Sequence, residues 1–261
     1  MRIVSFFCFL CISFSLVASK ISEYLVFEGD ETVLDVGCGS GKESAELLKQ
    51  IPRGEVRVWD NSQARIASAQ KNFPKEKHPH LFFEVKDIQV PSSEREFDYL
   101  RSFEKLQWVK DHHAFLRGAN RCLKVGGKLL IATPMGLPQA LQQAVDEVSM
   151  KERWRGYFRD FVTGWNFPTK ETLETLLTEN HFEARYLEVI EQEDIFPSKE
   201  VFQNFISHWF PYVQPIPTDL RRQFMSEVIE RFVELQPLDH NQCLHFFVKR
   251  LEVVAVKHDH S

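Results

Sequence analysis

The chain is 261 residues long with 43% hydrophobic residues, enough for one large α/β domain with or without a cap. Its 32 Lys and Arg are outnumbered by 37 Asp and Glu, for a net charge of −5, and they are scattered without a long basic run. This excludes the concentrated basic footprint of a nucleic-acid-binding protein, and no internal repeat or low-complexity tract suggests a repeat fold.

No charge falls between Arg2 and Lys20, Ile3 to Ala18 is mostly Phe, Cys, Leu, Ile and Val, and small Val17, Ala18 and Ser19 precede Lys20. We set 1–19 apart as an apolar segment with the form of a secretory signal, too short for a stable membrane span; the alternative is a buried N-terminal helix. Beyond it only Cys38, Cys122 and Cys243 remain, which suggests no disulfide framework and weighs against export. The Cys8 and Cys11 pair is read as composition.

Ile21 to Phe27 is predicted as a short helix, with Glu28 to Glu31 as its polar turn. Val33 to Val36 then reads as a strand running into Gly37, Gly39 and Gly41, and Lys42 to Ile51 as a helix with Ala45, Leu47, Leu48 and Ile51 apolar. Glycines so placed let a ligand lie against bare main chain, although such a turn also serves merely to pack a helix on a strand. Two acids favour a ribose-bearing ligand. Asp35 interrupts an apolar strand, where an unpaired carboxylate costs several kcal/mol. Asp60 ends the next predicted strand, Glu55 to Trp59, close to the roughly 20-residue offset at which an acid meets a ribose diol.

DVGCGSG from Asp35 to Gly41, followed by WDNS from Trp59 to Ser62, resembles the first and second cofactor motifs of the class I S-adenosylmethionine-dependent methyltransferases. The resemblance implies S-adenosylmethionine as cofactor, held by Asp35, Gly37, Cys38, Gly39, Gly41, Asp60 and Asn61. It also implies a cytoplasmic protein, since that cofactor is made there; export through the N-terminal segment is the alternative. A hydride-transferring Rossmann protein would show a third glycine at Lys42 and seldom an acid at Asp35, so a nucleotide-dependent oxidoreductase ranks behind.

Gln63 to Asn72 reads as a helix and Leu81 to Val85 as the third strand. By resemblance, Asp87 then meets the adenine amino group with the Ile88 backbone beside it; the competing reading of Asp87 is a solvated strand end. Phe97 to Leu100 is the fourth strand, and FDYLRSFEKLQW resembles the reaction-face loop of small-molecule methyltransferases of the trans-aconitate and juvenile-hormone-acid type. Ser102 is thereby assigned to the cofactor and Gln107, Trp108, Arg101 and Trp165 to the acceptor. Arg101 and Lys105 would hold an acidic acceptor or else face solvent. His112 to Leu123 is predicted as a helix, Lys124 to Gly127 as a turn, and Lys128 to Thr133 as a strand ending at Pro134.

Strand and helix units thus alternate from Thr32 to Pro134, the pattern of a parallel doubly wound sheet whose ligand lies at the strands' C-terminal ends. We place the cofactor-binding core at 20–134 and the second half of the same domain at 135–261. In that half Met135 to Phe161 reads as an amphipathic helix, Thr169 to Glu179 as a helix and Ala184 to Glu191 as a strand. The aromatic-rich stretch from Pro197 to Pro217, a helix from Thr218 to Leu235 and a last strand from Cys243 to Val256 follow. Their order resembles the family's helical lid insert, at about 197–235, before an antiparallel closing strand. The implied fold is α/β, a Rossmann-like doubly wound seven-stranded sheet. Aromatic stripes, however, more often build cores than pockets.

Methyl transfer from a sulfonium needs chiefly orientation, which supplies roughly 7–11 kcal/mol, and a carboxylate acceptor needs no general base. No Ser/His/Asp triad, HExxH or paired metal-ligand set is found; His112 and His113 diverge on a helix, and His258 and His260 sit in a polar tail. The expected protein is a monomeric methyltransferase with a small-molecule acceptor, no catalytic base and no metal. The alternative is a non-catalytic cofactor-binding relative, because the polar helix that family members carry ahead of the first strand is replaced by the apolar Ile3 to Ala18 run.

Overall fold

The computed structural model describes residues 2–6, 20–37, 39–89 and 96–258. In chain order these form β1 (Arg2–Phe6), β2 (Thr32–Val36), α1 (Lys42–Leu48), β3 (Glu55–Asp60), α2 (Gln63–Asn72), β4 (Leu81–Val85) and β5 (Phe97–Phe103). Then come α3 (His112–Cys122), β6 (Leu123–Pro134), α4 (Gln139–Ser149), α5 (Lys170–Glu179), β7 (Phe182–Phe196), α6 (Lys199–Ser207), α7 (Arg221–Leu235) and β8 (Leu244–Lys257). Short 3-10 turns at Lys20–Tyr24, Leu106–Trp108, Arg155–Phe158 and Pro211–Val213 complete the elements. Four of the helices start where a side chain satisfies a free backbone N–H: Ser62 accepts from Arg65, Asp111 from Ala114, Thr169 from Thr172 and Ser198 from Val201.

Two compact units result. The larger takes 13–135, 165–189 and 250–261, and the smaller 1–12, 136–164 and 190–249. The sheet of the larger unit has the order β7-β8-β6-β5-β2-β3-β4. β2 runs parallel to β3 and β5, β3 to β4, and β5 to β6, while β8 is antiparallel to β6. This is the expected Rossmann-like, doubly wound arrangement with an antiparallel last strand.

Strand alternation divides the apolar residues between the two faces. Leu34, Leu129, Ile131, Val253 and Ala255 pack with Phe115, Leu116, Leu173 and Leu177 of α3 and α5. Val33, Leu130, Ala132 and Val254 pack on the opposite face with Ala45 and Leu47 of α1 and with Ile21. A sheet covered on both faces reads in sequence as unbroken apolar runs such as LLIA, because neither alternating set meets water. At the far end of β8, Lys257 Nζ donates to the carbonyls of Asn120 and Leu123 at 2.5 and 2.8 Å, closing the C-terminal end of α3.

Several expected boundaries move. β5 continues three residues past Leu100, and β6 begins at Leu123 instead of following a turn. Its register jumps from Phe97 opposite Leu123 to Tyr99 opposite Lys128, with Gly126 at φ 77° among the extra residues. The single helix expected from Met135 to Phe161 is instead α4, ending at Ser149, followed by the turn at Arg155–Phe158. Between them Trp154 turns inward, donates to Glu227 at 3.2 Å and packs edge-on against Phe224. Within the expected N-terminal segment, Arg2–Phe6 is a strand parallel to β7, not a helix; 7–19 lie outside the described residues.

The smaller unit has a core of its own. Phe202 lies 5.5 Å from the Phe232 ring and 5.1 Å from Phe246, and Phe202 and Phe210 are buried. The aromatic stripe therefore builds this core. Among the described residues no helix is long and apolar enough to cross a membrane.

One close approach ties α3 to the chain after β4. A Cβ at Gly118 would lie 1.9 Å from the Ile88 carbonyl oxygen, and backbone cannot yield as a side-chain tip does. Gly118→Ala is expected to destabilise the protein by about 1–3 kcal/mol, the cost of overpacking, and to appear as a lower urea midpoint.

Candidate functional site

The loops at the C-terminal ends of β2, β3, β4 and β5 bring most of the predicted residues to one edge of the sheet. At its centre Asp35 on β2 stands in register with Arg101 on β5. Arg101 Nη2 donates to Asp35 Oδ2 at 2.6 Å and Ser44 Oγ donates to the same oxygen at 2.5 Å, with the acid and the arginine only 6% and 5% exposed. Burial works against the guanidinium charge, but Asp35, with Glu43 adding to it, more than offsets it, and the Arg101 pKa is raised. Arg101 is thus the neutralising partner of Asp35, which corrects the alternative that it faces solvent. Ser44 carries no motif signal; its place on the first helical turn after the loop was the available clue.

The loop glycines differ in what surrounds them. Gly37 has φ 86°, and a Cβ there would lie 2.3 and 2.7 Å from Cγ and Cδ of Lys105, whose stem lies along the loop. Gly41, at φ 80°, is backed by the Phe83 ring at 3.0 Å. These two are required by packing as well as by conformation. Gly39, at φ 54°, faces open space, with nothing within 4 Å of an added Cβ. Asn72 Nδ2 steadies the loop from α2 through the Ser40 carbonyl at 3.4 Å. Cys38 lies outside the described residues.

Asp60 closes β3 as a buried carboxylate. Its Oδ1 accepts from the Ser62 N–H at 2.9 Å, whereas among the described residues Oδ2 has no hydrogen-bond partner and lies 3.7 Å from Arg65 Nη1. Ser102 on β5 is fully buried, and its Oγ likewise has no hydrogen-bond partner among the described residues. Buried polar atoms without partners cost about 1–3 kcal/mol each, so these two fit a polar ligand across the loop. Asn61 is exposed, Asp87 is half-buried with Oδ1 accepting from the Gln89 N–H at 2.9 Å, and Ile88 is buried in the core.

On the β5 side, Gln107 is buried and engaged: Nε2 donates to the Glu104 carbonyl at 2.9 Å and Oε1 accepts from Thr133 Oγ1 at 3.2 Å. Trp108 is 39% exposed and its ring centroid lies 5.7 Å from that of Trp165, so two residues far apart in sequence form one aromatic wall. Asn166 makes the connection, donating its backbone N–H to the Gln107 carbonyl at 2.8 Å and Nδ2 to the carbonyls of Val109 and Lys110. Neither Thr133 nor Asn166 was identified from sequence. His112 Nε2 contacts the Leu106 carbonyl at 3.0 Å, and burial lowers its pKa, so this histidine is neutral and structural at pH 7. No group of three metal-ligating side chains occurs among the described residues.

Comparison with known proteins bears on what this edge holds. The family described as "methyltransferase domain" matches residues 13–187. A trans-aconitate 2-methyltransferase of Acidovorax sp. is 32% identical over 123 residues, 47% of this chain and 46% of that protein, so the match spans about half the relative's length. Its counterpart in Yersinia pseudotuberculosis is 23% identical over 224 residues, 81% of each chain. Among solved structures, a phosphoethanolamine N-methyltransferase from Haemonchus contortus, in complex with phosphomonomethylethanolamine and S-adenosylhomocysteine, superposes with a TM-score of 0.59 at 18% identity. The superposition covers 92% of this chain and 52% of that one.

Removing one member of a buried ion pair strands the other, at about 3–5 kcal/mol, whereas an apolar replacement of both is often tolerated. Arg101→Met and Asp35→Leu are each expected to destabilise by that amount, and the double variant by much less than their sum. A urea double-mutant cycle measures the coupling.

Proposed function

We infer, because this chain belongs to the methyltransferase-domain family and takes S-adenosylmethionine as its cofactor, that it methylates a small molecule on a carboxylate. The observation that carries the reading is the pair of buried atoms without a hydrogen bond among the described residues, Asp60 Oδ2 and Ser102 Oγ, on strands flanking open Gly39. In this reading Asp60 accepts hydrogen bonds from both ribose hydroxyls, Asp87 and the Ile88 backbone meet the adenine, and Ser102 lies toward the other end of the ligand.

When bound, the cofactor supplies a methyl group on a sulfonium sulfur, a leaving group already activated by its charge. The chain's part is to orient. Asp35 and Arg101 hold the loop and the reaction-face strand in register, and Trp108 and Trp165 offer an apolar wall for the acceptor's body. His112 is neutral but hydrogen-bonded to the backbone, and Gln107 is engaged with Thr133 and Glu104. An acceptor that needs no proton removed suits these surroundings, and a carboxylate is such an acceptor at neutral pH. The trans-aconitate relatives support the same class. We place the protein in the cytosol, acting as a monomer.

Asp60→Ala is expected to weaken binding of S-adenosylhomocysteine by about 1.5–3 kcal/mol, measured by calorimetric titration; unchanged affinity in the folded variant would remove Asp60 from the site. Methyl transfer to a panel of carboxylic acids, phenols and amines is expected with the acids. Turnover confined to phenols or amines sinks the carboxylate assignment, and tight cofactor binding without turnover favours a non-catalytic relative.

A further inference from the structure

We propose that Lys105 binds the carboxylate at the amino-acid end of S-adenosylmethionine, making it a cofactor contact instead of an acceptor contact. The inference rests on the placement of the ribose at Asp60.

Direction follows from the sheet. β3 and β4 lie on one side of β2 and β5 on the other, and all four run parallel, so their following loops share one edge. With the ribose at the end of β3 and the adenine beyond β4, the ligand crosses Gly39 and its amino-acid end points toward the end of β5. Two polar side chains of that segment are already engaged, and a third brings no charge. Arg101 is paired with Asp35, Gln107 is held by Glu104 and Thr133, and Ser102 offers a carboxylate only a neutral hydroxyl. Lys105 differs. Its stem lies against Gly37, close enough that a Cβ there would come 3.1 Å from its own Cβ and nearer still to Cγ and Cδ. Its ammonium forms no ion pair among the described residues.

The glycine at 37 then has a second purpose. It lets a lysine stem pass over the loop, so that a flexible, strongly hydrated point charge reaches whatever the loop carries. A carboxylate is the one anionic group on S-adenosylmethionine, and a charge-assisted hydrogen bond is the interaction a lysine there can make.

The test is calorimetric titration of the full chain with two ligands: S-adenosylhomocysteine, which has the amino-acid end, and 5′-methylthioadenosine, which lacks it. Lys105→Met is expected to weaken the first by about tenfold or more and leave the second unchanged, with Lys105→Arg restoring most of the loss. Should the Met variant fail to fold, Lys105→Gln keeps the Cβ and Cγ that lie against Gly37, removes the charge and gives the same comparison. Unchanged affinity for S-adenosylhomocysteine, equal weakening of both ligands, or tighter binding of both would overturn the proposal. Asp60→Ala serves as the second arm, because it should weaken both ligands. If it weakens neither while Lys105→Met acts selectively, the ribose placement fails and the lysine contact stands.

Discussion

A carboxylate and a guanidinium enclosed between two neighbouring strands set the geometry on which the rest of the site depends. Either charge alone would be costly at that depth, so the register that brings Asp35 opposite Arg101 is strongly favoured for β2 and β5. A slip of one residue would turn both side chains to opposite faces. The register also fixes where two loops begin, the glycine loop after Val36 and the segment from Glu104 to Trp108. Ser44 adds a hydrogen bond from α1 to the same carboxylate, so strand, loop and helix are tied to one oxygen atom.

The presence of that constraint was legible in the sequence, and its partner was not. An acid inside VLDV demands compensation, but the compensating residue lies 66 positions away and reads, in FDYLRSFEK, as one of two surface-ready cations. Local pattern distinguishes a strand from a helix; it carries nothing about which side chain will face which across a sheet. The same limit applies to Trp108 and Trp165, brought ring to ring with the help of the hydrogen bonds of Asn166. By contrast α2 and β4 fall at their expected limits, since Ser62 caps one and the apolar run LFFEV forms the other. The second half was harder because its aromatics fill a local core from several directions and leave no clean period. Trp154 ends an otherwise helical pattern by turning toward Phe224.

The glycines show how one motif answers several demands. Resemblance assigns all of them to the cofactor, yet Gly41 is also shaped by Phe83, Gly37 by Lys105, and Gly118, outside any motif, by the Ile88 carbonyl. That last contact is the least forgiving of the set, because main chain meets main chain. It secures the segment carrying Asp87 from behind, through a helix that itself touches no predicted ligand. Precision at the site is therefore inherited from packing on the α3 side of the sheet.

The last strand in the chain is not the last in the sheet. β8 sits between β6 and β7, antiparallel to β6, with Lys257 reaching the end of α3. During synthesis β6 emerges more than a hundred residues before its neighbour, and its outer edge lacks its native partner strand through that interval. A ribosome paused anywhere before Leu244 would hold out a half-sheet with an open seam at its middle, a species suited to chaperone capture or to pairing with the wrong chain.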